Sequence, residues 1–292
     1  KARGARRSTK NSKVKHKGKT KMAYTPEEVE WMRKAMGITD EPEPIKAPLA
    51  QAPSVSDITA DYICLENITC VDADGNVFEQ YPKIYVRKDV EKDADGKIVY
   101  FTAYNAAAHF EQKAMRNPSF ALHCNMLVAL YAQRQEPELN KVLMQYKDKG
   151  NGNGGHKPNT LISYAGQEVI HNPNDSDFPS DGGNSNINAG RRVALGFSKQ
   201  DLKSMPLEQA LSDTVALRFV KQLTGMANPD LLVELGKYFQ KEAYLWIPNG
   251  DASNCSKVRA AWLGCGSGGF DLDADNFLDY FNAARGVRRG ER

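Results

Sequence analysis

The sequence predicts an α+β fold, in which an N-terminal β-meander with hairpins packs with a helix-rich C-terminal body. Runs of β-branched and aromatic residues, joined by Asp-Gly turns, occur between residues 62 and 102, which is typical of antiparallel strands. Apolar residues recur at helical spacing in much of the chain after residue 104. A strongly basic segment without core-forming residues comes first, so we expect a disordered arm ahead of the fold.

Residues 1–21 form the basic arm, which contains ten cations and no acidic residue. Without these ten, the 39 basic and 36 acidic residues of the chain become 29 and 36, so the remainder carries a net charge near −7. The arm cannot bury enough apolar surface to offset the entropy cost of ordering. Its cations are the candidate nucleic-acid-binding residues: Lys1, Arg3, Arg6, Arg7, Lys10, Lys13, Lys15, Lys17, Lys19 and Lys21.

Residues 22–56 join the arm to the body as a short capped helix and a proline-rich linker. Thr25 is a suitable N-cap, Pro26 suits the first helical turn, and Glu28 completes a capping box. Gly37 is a typical residue at which such a helix ends. Four prolines follow and predict an extended linker.

The body is predicted as a single α+β domain that spans residues 57–292. Its first part contains strand-like runs at 62–71 and 77–87, which the turn 72–76 joins. A second Asp-Gly turn leads into a third run at 98–102. Asp-Gly between such runs is a hairpin signal, so these runs predict a three-stranded meander.

Helices are predicted after the meander, at about 104–116, 118–134 and 137–148. Residues 150–190 then interrupt the pattern with glycine-rich and polar loops around one short hairpin. Long loops are uncommon inside compact domains, so this is the region at which the body could divide.

The C-terminal third is predicted to be mainly helical. The predicted helices lie at about 198–204, 206–224, 229–243 and 274–285. Leu211, Val215, Phe219 and Leu223 lie at helical spacing, which predicts that this side of the second helix faces the core.

Composition limits the classes of function. Hydrophobic residues make up 41% of the 292 residues, as in a globular protein with a real core. No apolar run approaches the roughly 20 residues of a transmembrane helix, and no secretory signal is recognisable. We therefore expect a protein that is intracellular or inside a particle. Five widely spaced cysteines favour reduced thiols, although Cys64 and Cys70 could pair if neighbouring strands bring them together.

A glycine-rich string at 263–270 is the strongest enzyme-like motif. Gly264, Gly266 and Gly269 satisfy GxGxxG, and the string resembles the first motif of Rossmann-type methyltransferases. The resemblance implies binding of S-adenosylmethionine. The sequence departs from the family at Trp262, where an acidic residue is expected, and the upstream chain lacks alternating strands and helices. The other interpretation of the string is a flexible turn.

A second enzymatic interpretation uses a thiol. Cys124 would be the nucleophile, with His171 or His156 as its base. Cys124 lies within an apolar helical pattern, however, which favours a buried and unreactive thiol.

Three aspartates near the C-terminus have the spacing of a calcium loop. Asp271, Asp273 and Asp275 occupy its first, third and fifth positions, but Asn276 replaces the turn glycine and Asn282 the final glutamate. We therefore interpret these acids as N-terminal residues of the predicted helix 274–285. No metal and no cofactor is expected.

These observations favour a non-catalytic structural protein that assembles a nucleic-acid-containing particle of the ribonucleoprotein or virion (capsid) type. The arm would contact phosphates without sequence specificity, because it contains no aromatic residue that could stack on bases. The expected partners are nucleic acid, with RNA favoured over DNA, and other protein subunits. The alternative is an enzyme with a site near the 150–190 loops or the 264–269 glycine turn.

Overall fold

A computed structural model describes residues 54–147, 155–173, 191–195, 202–248, 258–266 and 269–289. Within them the chain forms fourteen strands and six helices, which confirms the predicted α+β class. In chain order the strands are β1 (Ser54–Ile58), β2 (Tyr62–Val71), β3 (Val77–Arg87), β4 (Tyr100–Phe101), β5 (Gly155–His156), β6 (Thr160–Ser163), β7 (Glu168–His171), β8 (Arg191–Ala194), β9 (Met205–Pro206), β10 (Ala243–Trp246), β11 (Val258–Cys265), β12 (Phe270–Asn276), β13 (Asn282–Ala283) and β14 (Val287–Arg289). The helices are α1 (Ala103–Gln112), α2 (Phe120–Ala132), α3 (Pro137–Met144), α4 (Leu207–Ala210), α5 (Thr214–Thr224) and α6 (Asp230–Phe239).

The small sheet contains four antiparallel strands in the order β1-β2-β3-β14. Its central hairpin is closed by the predicted turn. The Asp72 carboxylate accepts hydrogen bonds from the backbone N–H groups of Asp74 and Asn76, at 2.9 and 2.8 Å. Gly75 supplies the positive φ of +85° that the turn requires. Cys64 and Cys70 both lie on β2 as free, buried thiols, so they do not pair.

The predicted run at 98–102 contributes only β4, and this strand pairs with β13 in the large sheet instead of with β3. The place beside β3 is taken by β14, whose Val287 lies opposite Val86. Strands from the beginning and the end of the body therefore complete one sheet.

The large sheet has ten strands and is mixed. Its main path is β4-β13-β5-β11-β12-β10-β9, and β6, β7 and β8 form a branch from β11. Most pairs are antiparallel, but β10 runs parallel to β12 and β13 parallel to β5.

Helix α2 occupies the centre of the body and contacts β2 of the small sheet and β11 of the large sheet. Ten of its thirteen residues are buried, which explains the almost continuous apolar sequence there. The Ser119 hydroxyl caps the helix by accepting a hydrogen bond from Leu122 N at 3.1 Å. The hydrophobic core runs from β2 through α2 to β11 and β12 without interruption.

The other helices follow the predicted ranges with shorter ends. The predicted helix 206–224 divides into α4 and α5, because the Asp213 carboxylate caps a new helix at Val215 and Ala216. The predicted helix 229–243 ends as α6, and β10 begins at Ala243. Most of the predicted helix 198–204 lies outside the described residues.

The helix predicted at 274–285 is wrong, because this region contains the end of β12, an irregular segment and β13. Phe270, Leu272 and Ala274 are buried, whereas Asp271 and Asp273 between them are partly exposed. This alternation has the period of two that a strand requires.

None of the helices in the described part of the chain is both long enough and apolar enough to cross a membrane.

Candidate functional site

Four polar side chains meet in the protein interior and form the site that we call the buried polar cluster. His123 lies on α2, Tyr146 follows α3, His156 lies on β5, and Arg285 lies between β13 and β14. All four are fully buried. Groups of this kind rarely occur together in a core, because each loses its hydrogen bonds to water when the chain folds.

The three rings of the cluster are in contact. The His156 imidazole stacks on the Tyr146 ring with a centroid separation of 4.0 Å and an interplanar angle of 20°. The His123 ring centroid lies 5.6 Å from that of His156 and 6.3 Å from that of Tyr146. The guanidinium carbon of Arg285 lies 5.6 Å from the Tyr146 ring centroid, which is a cation–π distance.

Arg285 is held mainly by neutral groups. Its Nη1 donates to the carbonyl oxygens of Arg87 and Lys88, and its Nη2 donates to Gln145 Oε1 at 2.7 Å. These carbonyls belong to the last residue of β3 and to the residue after it, whereas β13, which ends two residues before Arg285, belongs to the large sheet. One buried side chain therefore links the two sheets.

Burial decides the protonation states in the cluster. It lowers the pKa of His123 to about 3, and the Arg285 charge contributes in the same direction. Burial, Arg285 and His123 together lower the pKa of His156 well below its ordinary value. Burial raises the pKa of Tyr146 to about 12. At neutral pH both imidazoles and the phenol are uncharged, so the guanidinium is the one charged group of the four.

The cluster leaves hydrogen-bonding atoms unsatisfied. Both ring nitrogens of His156 and Nε of Arg285 have no hydrogen-bond partner among the described residues. The His123 ring has the carbonyls of Ser119 and Pro118 nearby, but neither of its nitrogens reaches hydrogen-bonding geometry.

The predicted thiol pair is not formed. Cys124 is fully buried, and burial raises its pKa well above the ordinary value, which is opposite to what a nucleophilic thiolate needs. His171 instead bonds to Thr160 Oγ1 and to the Gln222 carbonyl oxygen, each at 3.0 Å. No hydrogen bond within the described ranges joins Cys124 to His156 or His171.

The glycine string forms the connection between the antiparallel strands β11 and β12. Gly264 lies within β11, and Gly266 N donates to the Gly269 carbonyl oxygen at 2.9 Å. A dinucleotide-type or methyltransferase-type motif requires a strand, a turn and then a helix whose N-terminus faces the ligand. A strand follows here, so the likeness to the methyltransferase motif does not extend beyond the sequence.

The three aspartates lie on β12, not at a helix terminus, which corrects the predicted capping role. Asp271 accepts a hydrogen bond from Trp246 Nε1 at 3.0 Å, and Asp275 accepts one from Arg259 Nε at 2.7 Å. Burial raises the pKa of Asp273 to about 6. Within the residues that the structure describes, no group of three or more His, Cys, Asp or Glu side chains is arranged to hold a metal ion.

Lys157 connects this strand to β5. Its ammonium group donates to Asn276 Oδ1 at 2.5 Å and to the Phe277 carbonyl oxygen at 3.1 Å. Burial lowers its pKa to about 7, although Asp273 and Asp279 act in the opposite direction. The two hydrogen bonds go to the last residue of β12 and to the residue after it, so they fix the end of this strand.

Beyond β12 the chain exposes several large aromatic side chains, which we call the aromatic surface. Phe277, Tyr280 and Phe281 are 42%, 54% and 68% exposed, and the first two rings lie 5.0 Å apart. The pairing of β4 with β13 places Tyr100, which is 45% exposed, opposite Ala283. Clustered exposed aromatic residues are typical of protein–protein contact surfaces.

The ten arm cations, the predicted helix and linker before residue 54, and much of the 150–190 loop region lie outside the described residues. Cys124 lies in a buried helix, as predicted, whereas the buried polar cluster was not predicted. A polar residue inside an apolar run, such as His123 beside Leu122 and Cys124, is the one local signal of it. Nothing in the spacing shows that His156 and Arg285 join it.

In comparisons with known proteins, no family model, no curated protein and no solved structure matches this chain. A proposal for its function therefore depends on the chain's own residues.

Proposed function

We propose that this chain is a non-catalytic assembly protein of a nucleic-acid-containing particle. In this proposal the basic arm binds phosphates without sequence specificity, and the body makes contacts with other protein subunits. The ribonucleoprotein and virion types of particle both suit this division of roles.

The observation that carries the proposal is the segregation of charge along the chain. Ten cations and no acid occupy residues 1–21, whereas the remainder has seven more acidic than basic residues. Closely spaced lysine and arginine side chains can follow a polyanion, and their binding releases condensed counterions. The acidic remainder would be repelled by the same polyanion, so the arm is the part of the chain suited to it.

The described body supports the second half of the proposal. The aromatic surface offers Tyr100, Phe277, Tyr280 and Phe281 for contact with another protein. Interfaces are enriched in aromatic residues, which bury a large area with few rotatable bonds. By contrast, a strand follows the glycine string and burial raises the pKa of Cys124, so the described residues do not favour the enzymatic alternative.

A salt titration with matched variants tests the role of the arm. In one variant Lys13, Lys15 and Lys17 are replaced by Gln. In the control variant three exposed lysines of the body are replaced by Gln in the same way: Lys97, Lys141 and Lys203. The affinities for a single-stranded RNA and for a single-stranded DNA of equal length are measured between 50 and 300 mM salt. The arm variant should lose about 2 units from the slope of log K against log salt, at about 0.7 per phosphate contact. The control should keep the slope of the unmodified protein.

Equal slopes for the two variants would refute the role of the arm. Equal binding of RNA and DNA would remove only the preference for RNA. Binding of the arm to anionic vesicles but not to either nucleic acid would replace the proposal with a membrane-surface function.

A further inference from the structure

The region around β5 contains several hydrogen-bonding atoms that the described residues leave unsatisfied. His123 and His156 each contribute two ring nitrogens, Tyr146 contributes its hydroxyl oxygen, and Arg285 contributes Nε. Two neighbouring residues add one atom each. Asn117 adds Oδ1, and its amide nitrogen donates a hydrogen bond to the Lys157 carbonyl oxygen. Trp262 adds Nε1, and its ring packs against Gly155. These atoms belong to buried or partly buried residues on five different segments of the chain.

Such a concentration of unsatisfied atoms requires a physical explanation. Protein interiors satisfy the great majority of their buried polar atoms, because a buried donor or acceptor without a partner retains the full cost of leaving water. One isolated atom can be tolerated at this cost. Several at one place indicate a common partner that bridges them.

A cation is a poor candidate for that partner. The centroid separation of 5.6 Å between the His123 and His156 rings would suit two ligands of one metal ion. The Arg285 guanidinium, however, already lowers the pKa of both rings, and the same positive charge would oppose a metal cation. The third neighbour, Tyr146, has its pKa raised to about 12, so it is not available as a phenolate ligand at neutral pH.

An anion fits only half of the available groups. It would accept hydrogen bonds from Arg285 Nε and from one N–H of each imidazole. A neutral imidazole also presents one acceptor nitrogen, and an anion without a hydroxyl group, such as chloride or sulfate, has no hydrogen to offer it. His123 and His156 would therefore each keep one unsatisfied nitrogen.

We infer that the buried polar cluster is an internal hydration site, in which ordered water bridges His123, His156 and Arg285. Water both donates and accepts, so it can satisfy the donor and the acceptor nitrogen of each neutral imidazole as well as Arg285 Nε. Buried waters typically make about three hydrogen bonds to such groups. The inference does not depend on the proposed function, because the cluster lies in the body and has no part in phosphate binding.

Nuclear magnetic resonance on the full chain tests the inference directly. Rotating-frame Overhauser transfer from water to the ring protons of His123 and His156 is expected, with residence times longer than those of surface water. A crystal structure at high resolution should show water oxygens about 2.7–3.2 Å from the imidazole nitrogens. Rings without water transfer and without neighbouring water density would overturn the inference.

Substitution of His156 distinguishes a hydrated from a dry cluster by the sign of the effect. His156→Phe keeps the stack on Tyr146 and removes two hydrogen-bonding atoms. If water fills the site, the urea midpoint of unfolding falls, because the water loses partners. If the site is dry, the midpoint rises, because two unsatisfied atoms are removed, and the inference fails. Should this variant not fold, the water measurements on the unmodified protein still decide.

His171→Phe is the matched control. His171 is equally buried but both of its ring nitrogens have partners, on Thr160 and Gln222. Its substitution should lower the midpoint whether or not the cluster contains water. Exchange of chloride for phosphate at constant ionic strength, or addition of a chelator, should shift the midpoint of the unmodified protein no more than that of His156→Phe, because phosphate stabilises folded proteins without binding to a site. A larger response of the unmodified protein would assign the site to an anion or to a metal instead.

Discussion

Three histidines of the body are fully buried, and each has its pKa below the ordinary value of an imidazole. Burial is the largest cause for His123, for His156 and for His171. His171 differs in its surroundings, because the Gln222 carbonyl and the Glu79 carboxylate oppose the shift. In the folded state at neutral pH none of the three is charged, whereas in the unfolded chain each takes up a proton near pH 6.5.

Stability should therefore fall as the pH drops below about 6.5. In this range the unfolded state binds more protons than the folded state, so each histidine removes at most about 1.4 kcal/mol per pH unit. Below about pH 6, Asp273 acts in the opposite direction, because its raised pKa makes the folded state bind a proton first. Urea unfolding at pH 7.0, 6.5, 6.0 and 5.5 measures the net effect. A free energy of unfolding that stays constant over this range would contradict it, and His123→Gln should reduce the slope.

Gly225 is a position where both the backbone and the space exclude a side chain. It ends α5 with φ +62°, and a Cβ atom there would lie 2.7 Å from Ala121 Cβ and 2.9 Å from Cys70 Cβ. We expect Gly225→Ala to lower the free energy of unfolding by about 3 kcal/mol, as the sum of left-handed strain and overpacking. Gly75→Ala is the control, because Gly75 has φ +85° but open space around it.

The control should cost only about 1–2 kcal/mol, the part that arises from the backbone. Both values can be measured by urea denaturation at pH 7. Equal losses of stability in the two variants would show that the close approach of the added Cβ atom to α2 and β2 adds no cost at position 225.

At the scale of elements, features with local causes were predictable. The turn at Asp72 and Gly75 was found from its sequence because the Asp carboxylate and the glycine φ act within five residues. The predicted helical side was confirmed in part: Val215, Phe219 and Leu223 lie on α5, and the last two are fully buried. Leu211 lies in the break between α4 and α5. The cap at Asp213 was missed, because the apolar spacing continues across it.

Asp213→Ala should destabilise the protein by about 1 kcal/mol, because two N–H groups at the start of α5 would lose their acceptor. Ser212→Ala is the neighbouring control. The Ser212 hydroxyl donates one exposed hydrogen bond of 3.3 Å to the Glu208 carbonyl oxygen. Its loss should change the free energy of unfolding by no more than about 0.5 kcal/mol. Thermal unfolding of both variants tests the difference, and equal shifts would argue against a capping role for Asp213.

Strand β12 shows how a local signal can be misinterpreted. Its residues 270–275 alternate apolar and acidic side chains, which is the period of a strand, but the aspartates are also typical of helix starts and were interpreted as such. The strand pairs with β11 on one side and with β10 on the other. The β10 partner is distant in the sequence, and no pattern within β12 identifies it.

At the scale of the whole molecule, the α+β class could be predicted but the topology could not. The class follows from periodicity, which each segment carries by itself. The topology depends on pairings such as that of Val287 with Val86. The buried polar cluster has the same origin, because His123, Tyr146, His156 and Arg285 meet only after these pairings have formed.

Removal of residues 1–21 should leave the stability of the body unchanged. The arm has almost no apolar residues to contribute to a core, so its deletion removes charge and little burial. Urea unfolding of the full chain and of the truncated chain at 150 mM salt should give the same midpoint and the same single transition. A lower midpoint for the truncated chain would show that the arm contributes to folding and would complicate its interpretation as a binding segment.

The position of β14 beside β3 has a consequence for synthesis of the chain. When β3 has been made, the ribosome must still add roughly 200 residues before β14 exists, which takes about 10–40 s at 5–20 residues per second. Throughout that time one edge of β3 has no partner strand. Unpaired edges are sites of aggregation. Production of this protein should therefore depend on chaperones that protect nascent chains, and slower translation should extend the period of exposure.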